Sequence, residues 1–127
     1  MLLYVTVGTN DLARAGAFFD SVLSELGYAR RETEDDALGY AHAGDTRCRF
    51  WVTRPYDRKP ASFGNGVTFA LTADSRDAVR RFHAAALAQG GLDEGEPGLR
   101  PFHAHFYAAF VRDLDGNKIA AVCEKPE

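Results

Sequence analysis

Hydrophobic and polar residues alternate along LLYVTVG (residues 2–8), the two-residue period of a strand with one buried face. The period then lengthens. Over residues 11–26, Leu12, Ala15, Phe19, Val22, Leu23 and Leu26 recur at spacings of three and four, which predicts an amphipathic helix. Asn10 is the expected cap, and Gly27 stops the helix because glycine takes the left-handed conformation without a Cβ clash. Short β-rich runs at 28–32, 39–42 and 48–53 predict three more strands, separated by acidic or Gly-Asp turns.

Residues 54–66 (RPYDRKPASFGNG) are rich in Pro, Gly and charge and read as a linker, after which the order repeats. Residues 67–72 predict a strand, and Ser75 caps a helix that runs to 88 and ends at Gly90-Gly91. Residues 92–102 read as a short strand or loop. FYAAFVRDLDGNKIAAV (106–122) reads as an antiparallel hairpin around an Asp115-Gly116 turn.

Sliding the chain on itself by 64 residues lays Val5 on Phe69, Val7 on Leu71, Asp11 on Ser75, Phe18 on Phe82, Leu23 on Leu87 and Gly27 on Gly91. The expected fold class is therefore α+β: two βαβββ modules whose half-barrel sheets pair around a cavity. The first module covers about 1–53, the linker about 54–66 and the second module about 67–127, within one domain. The alternative is a single α+β sandwich whose helices are alike by accident.

Composition narrows the function classes. The 127 residues are 46% hydrophobic and 26% charged, an ordinary globular balance. A formal charge of −3 and Lys/Arg runs no longer than two residues leave no footprint for nucleic acid. No stretch approaches the ~20 apolar residues of a membrane span, and the start of the chain lacks a basic n-region. Cys48 and Cys123 are far apart and form no CxxC, which suits a reduced cytoplasmic protein.

The opening VTVGTNDLARAGAFF, the central GNGVTFAL and the closing YAAFVRDLDGNKIAAV together resemble the glyoxalase/bleomycin-resistance/extradiol-dioxygenase (vicinal oxygen chelate) superfamily, in particular its small single-chain bacterial members. The resemblance covers the whole chain and implies a homodimer. It also implies, in catalytic members, a divalent ion held by inward-pointing ligands on four strands. The matching positions here are Tyr4, Trp51, Thr68 and Ala120, the 64-residue shift also laying Tyr4 on Thr68. None of the four suits a catalytic divalent ion, and a one-residue slip offers no better set. No cofactor is expected, and a divalent metal is disfavoured.

Other chemistry is sparse. His83 sits in the second helix and reads as a partly exposed helix residue, and His42 as polar surface at a strand end. His103, His105 and Tyr107 alternate into the last hairpin and so can share one strand face. They can contribute to a metal site, line the cavity with polar contacts, or lie on the surface. GLRPFHAHFYAAF also resembles a family subgroup in which such a run precedes the last hairpin, which implies Arg100, His103 and Tyr107 as pocket residues. Asp113-x-Asp115-Gly116-Asn117 imitates an EF-hand start, but Lys118 occupies the obligatory glycine position and both flanks are strand-like, so a β-turn is expected. Gly64-Asn65-Gly66 precedes a strand and is not a phosphate loop.

If Tyr4, Trp51, Thr68 and Ala120 face inward, strand parity brings Leu2, Thr6, Arg49, Thr53, Ala70, Lys118 and Val122 with them. That lining is aromatic and largely apolar, with hydroxyls and cations towards its rim. It suits a small, flat or hydrophobic molecule, with Tyr4, Thr6, Trp51, Thr68, Arg100, His103, His105 and Tyr107 as candidate contacts. The competing readings are an enzyme, a lyase, isomerase or dioxygenase type with an atypical site at His103/His105, and an interaction module with a closed cavity.

Overall fold

The computed structural model describes residues 1–127. The first module runs β1 (Val5–Gly8), α1 (Leu12–Ser24), β2 (Tyr28–Thr33), β3 (Ala37–His42) and β4 (Phe50–Thr53). The second runs β5 (Phe69–Thr72), α2 (Arg76–Ala88), β6 (Leu92–Leu99), β7 (Tyr107–Arg112) and β8 (Lys118–Cys123). Each module forms a four-stranded mixed sheet, ordered β1-β4-β3-β2 and β5-β8-β7-β6. In both, the first strand lies parallel to the last and the other pairings are antiparallel. The 64-residue shift carries β1 onto β5, α1 onto α2 and the start of β2 onto the start of β6. The fold is α+β, built from a repeated βαβββ module.

Each helix lies on its own sheet, and the two helices touch one another. The face of each sheet that meets its helix is apolar. Val7, Leu38, Tyr40, Phe50 and Val52 are buried in the first module, and Ala109, Val111, Ile119, Ala121 and Cys123 in the second. With Phe18, Phe19, Val22, Val79 and Phe82 from the helices they form one cluster of 21 buried residues spanning both modules. The aromatic residues pack edge-on or tilted, with Phe18–Phe19 centroids 5.0 Å apart and Phe19–Phe50 5.2 Å apart.

Several sequence expectations are corrected. The cap of α1 is Asp11, whose carboxylate accepts from Arg14 N at 3.0 Å; Asn10 instead accepts from Ala61 N at 2.6 Å and secures the linker. At the end of α2 the left-handed residue is Gly90 (φ +90°), matching Gly27 (φ +85°) after α1. Gly91 serves packing: a Cβ there would stand 2.8 Å from Arg112 O and 2.9 Å from both Ala86 O and Phe18 Cε2. His83 is only 8% exposed, because it faces β6 and shares a 2.9 Å hydrogen bond with Asp93. Leu87, laid on the fully buried Leu23 by the repeat, is 41% exposed. β7 begins at Tyr107, so His103 and His105 precede the strand on a turn, closed by Arg100 N donating to Phe106 O at 2.8 Å.

The two modules are stitched at the turn between β7 and β8. Asp113 Oδ1 accepts from Asp115 N at 2.9 Å and Asn117 N at 2.8 Å, the side-chain-closed turn that the sequence imitates an EF-hand with. Asn117 Nδ2 reaches across to Gly8 O at 3.0 Å.

Candidate functional site

Strand parity decides which residues are left for a ligand. With Val7, Phe50 and Val52 turned to α1, their neighbours Thr6, Trp51 and Thr53 emerge on the opposite face of the first sheet. They floor a groove of about 660 Å³, walled by Tyr4, Ala37 and Cys48 and rimmed by Arg31, Glu32, Glu34 and Arg47. All of its lining comes from the first module.

The indole of Trp51 has a built seat. β3 carries Gly39 opposite Trp51, and a Cβ on Gly39 would stand 2.8 Å from Trp51 Cη2, 2.9 Å from Cζ3 and 3.0 Å from Cys48 Sγ. The missing side chain lets the ring lie down on the sheet, half-buried, with its remaining surface in the groove. Cys48 beside it is a neutral thiol, since burial pushes its pKa up and the Glu32 charge adds to that.

The rim is mixed in charge. Arg31 Nη2 donates to His42 O at 3.2 Å and its Nη1 to Asp45 O, so this guanidinium is spent on backbone. Arg49 pairs with Asp45 at 2.6 Å and donates to Leu3 O at 3.0 Å, fastening the segment ahead of β1 that carries Tyr4. Asp45 is correspondingly held below its ordinary carboxylate value by Arg49.

Tyr4 also borders a second, apolar cavity of about 290 Å³, together with Leu2, Tyr28, Phe50, Thr68 and Phe69. A third, of about 230 Å³, lies between Thr6, Phe63, Val67, Phe69 and Lys118. The sequence-predicted residues are thus distributed. Tyr4, Thr6 and Trp51 share the groove, and Tyr4 and Thr68 share the second cavity. Ala120 is fully buried and lines none of these three cavities. Arg100 lies over Phe110 on the second sheet, 5.5 Å from the ring centroid. Tyr107 turns to α2, where Arg80 donates to its hydroxyl at 3.2 Å and Arg76 stacks 5.2 Å from its ring. His103 and His105 are exposed on the turn, His105 with φ 61°, so the three do not share a strand face. Sequence reasoning missed Gly39 and Phe110. A glycine inside the strand ALGYAH signals close approach of another group, and Phe110 stands opposite Ala120 in the hairpin register.

A divalent ion of the kind implied by the resemblance does not fit these residues. Tyr4, Trp51, Thr68 and Ala120 supply no charged or imidazole donor, and no three His, Cys, Asp or Glu side chains form a group that could hold a metal. No helix is long and apolar enough to cross a membrane.

The family model of the Glyoxalase/Bleomycin resistance protein/Dioxygenase superfamily matches residues 1–121. Among solved structures, a glyoxalase/bleomycin resistance protein from Albidiferax ferrireducens T118 is 36% identical, with a TM-score of 0.86 over 97% of both chains. A lactoylglutathione lyase from Agrobacterium tumefaciens matches at 17% identity and a TM-score of 0.66, over 97% of this chain and 92% of that one. A fosfomycin resistance protein from Mesorhizobium loti matches at 15% and 0.69, over 98% and 92%. The last two likenesses are of fold. No curated protein matches the chain.

Proposed function

Because the chain belongs to the glyoxalase/bleomycin resistance/dioxygenase superfamily, we propose that it is a small-molecule-binding member that works without the family's divalent ion. Its ligand is a small, largely apolar or aromatic molecule laid against Trp51 and Tyr4, with Thr6 offering its hydroxyl, while Thr53 Oγ1 already donates to Asp36 O at 2.9 Å. The observation that carries this reading is the Trp51 groove: about 660 Å³, within the range of small-molecule sites, with an aromatic floor on a rigid sheet. Stacking on a pre-seated indole loses little conformational entropy, which favours a flat ligand.

The functional unit in this reading is a homodimer. The groove draws its lining only from the first module and stays open to one side, so a second copy can complete the enclosure. The same reading assigns the protein to the cytoplasm, where the unpaired, buried Cys48 and Cys123 stay reduced.

Trp51 is the only tryptophan, so its emission reports the groove directly. Titration with a panel of flat aromatic molecules is expected to give saturable quenching for one chemical class, weakened about tenfold in Tyr4→Ala through loss of aromatic contact. A ligand that binds Trp51→Ala as tightly as the parent, read by calorimetry, would place the site elsewhere.

A further inference from the structure

Phe110 stands half-buried on the face of β7 that points away from α2, with a cation on either side. The Arg100 guanidinium lies 5.5 Å from its ring centroid and Lys118 Nζ 5.3 Å. Arg100 follows β6 and Lys118 opens β8, the strands that flank β7, so the charges approach from opposite edges of the strand. Neither belongs to any of the molecule's ion pairs. Two like charges around one ring repel each other, and nothing in the chain offsets that cost with a bonded carboxylate. Asp93, whose charge Arg100 reaches, is already engaged by His83 and by Gly95 N at 2.9 Å each, and Glu94 by Arg112 at 2.6 Å.

Arg100 is held in place rather than extended into water. Its Nη1 donates to Gly98 O at 2.8 Å and its Nη2 to Glu96 O at 2.7 Å, neutral partners that fix the fork without cancelling its charge. β6 is shaped to receive it. A Cβ on Gly95 would stand 3.1 Å from Nη2 and one on Gly98 3.2 Å from Nη1, and the β6–β7 pairing shifts register at both glycines. Arg100 Nε has no protein partner, so Nε–H and the second hydrogen of an Nη form a free edge matched to a carboxylate.

We infer that the Phe110 face of the second sheet binds an organic anion, a carboxylate on an apolar body. Arg100 takes the carboxylate side-on, Lys118 adds its field, and the body lies along Phe110. This goes beyond the Trp51 groove and stands on different residues.

The test is a titration followed by the Arg100 Nε–Hε, Phe110 amide and Trp51 indole resonances of the full chain, with benzoate, benzyl alcohol and inorganic phosphate as probes. Benzoate is expected to shift the Arg100 and Phe110 signals saturably, benzyl alcohol to leave them in place, and phosphate to bind more weakly than benzoate. Arg100→Gln should weaken benzoate about tenfold or more through loss of a charge-assisted pair. Lys118→Gln, whose side chain anchors no backbone, should weaken it about threefold and covers the case of an Arg100 variant that misfolds. Unsaturable shifts, equal shifts from benzyl alcohol, phosphate binding as tight as benzoate, or affinity unchanged in both variants would overturn the inference. Saturable movement of the Trp51 signal alone would also overturn it, by placing the anion in the groove.

Discussion

Thr9 Oγ1 donates a 2.6 Å hydrogen bond to Asp115 Oδ2 across 106 residues of sequence, joining the end of β1 to the turn ahead of β8. Thr9 is 1% exposed, and the same carboxylate accepts from Asn10 N at 3.0 Å and Arg14 Nη2 at 3.3 Å. The pair clamps the two modules where neither sheet can reach the other by strand pairing.

Asp115→Ala takes the short, charged acceptor from a buried hydroxyl, which keeps only Asp11 O at 3.1 Å, and frees the Asn10 amide and the Arg14 guanidinium. The expected loss is about 2–3 kcal/mol of unfolding free energy, read by urea denaturation with an unchanged m-value.

Asp113 supplies a pH signature. Burial raises its pKa above the ordinary carboxylate value despite the bonds from Asn117 and Asp115. The folded state therefore holds a proton that the unfolded state has released, and stability falls as pH rises from the unfolded value through the raised folded one. Asp45 and Asp93 are shifted the other way, each chiefly by a side-chain hydrogen bond, from Arg49 and His83 respectively, so their contribution is lost only as pH falls below the ordinary value. Denaturation followed through the weakly acidic range should show a decline with rising pH that disappears in Asp113→Asn.

Gly91→Ala is expected to cost about 1–3 kcal/mol, because two of the atoms its Cβ would strike are backbone carbonyl oxygens that cannot swing aside. Gly90→Ala meets only Leu114 Cδ2 at 3.3 Å, but it must hold φ at +90°, so its cost is conformational, about 1–2 kcal/mol. Thermal melts should register both losses.

Gly39→Ala lifts the Trp51 indole off its seat. A shifted emission maximum and about a tenfold weaker groove ligand are expected, with the second module's Arg100 and Phe110 resonances unmoved.

The helices and the strands that open each module were legible because their periods run long enough to be unambiguous, and the 64-residue repeat reinforced each from the other. His83 was misread because its sequence neighbours Arg80 and Arg81 are exposed while its partner, Asp93, sits on another element. The His-x-His-x-Tyr alternation at 103–107 imitated a strand. The Arg100–Phe106 backbone bond instead closes a turn there, and such a long-range closure leaves no periodic trace. Tyr4, Thr6 and Trp51 came together because parity on short, regular strands suffices to place them. Which sheet faces lie open depends on how the modules pack, and one module's pattern does not encode that.

The most direct test of the account is a titration of Trp51 emission with the groove's best ligand, in EDTA and again with excess Mn, Fe, Co, Ni or Zn, alongside elemental analysis of untagged protein. The same affinity is expected in every condition, with no stoichiometric metal. One tightly held equivalent of metal, with ligand binding lost in EDTA and restored by that ion, would contradict it.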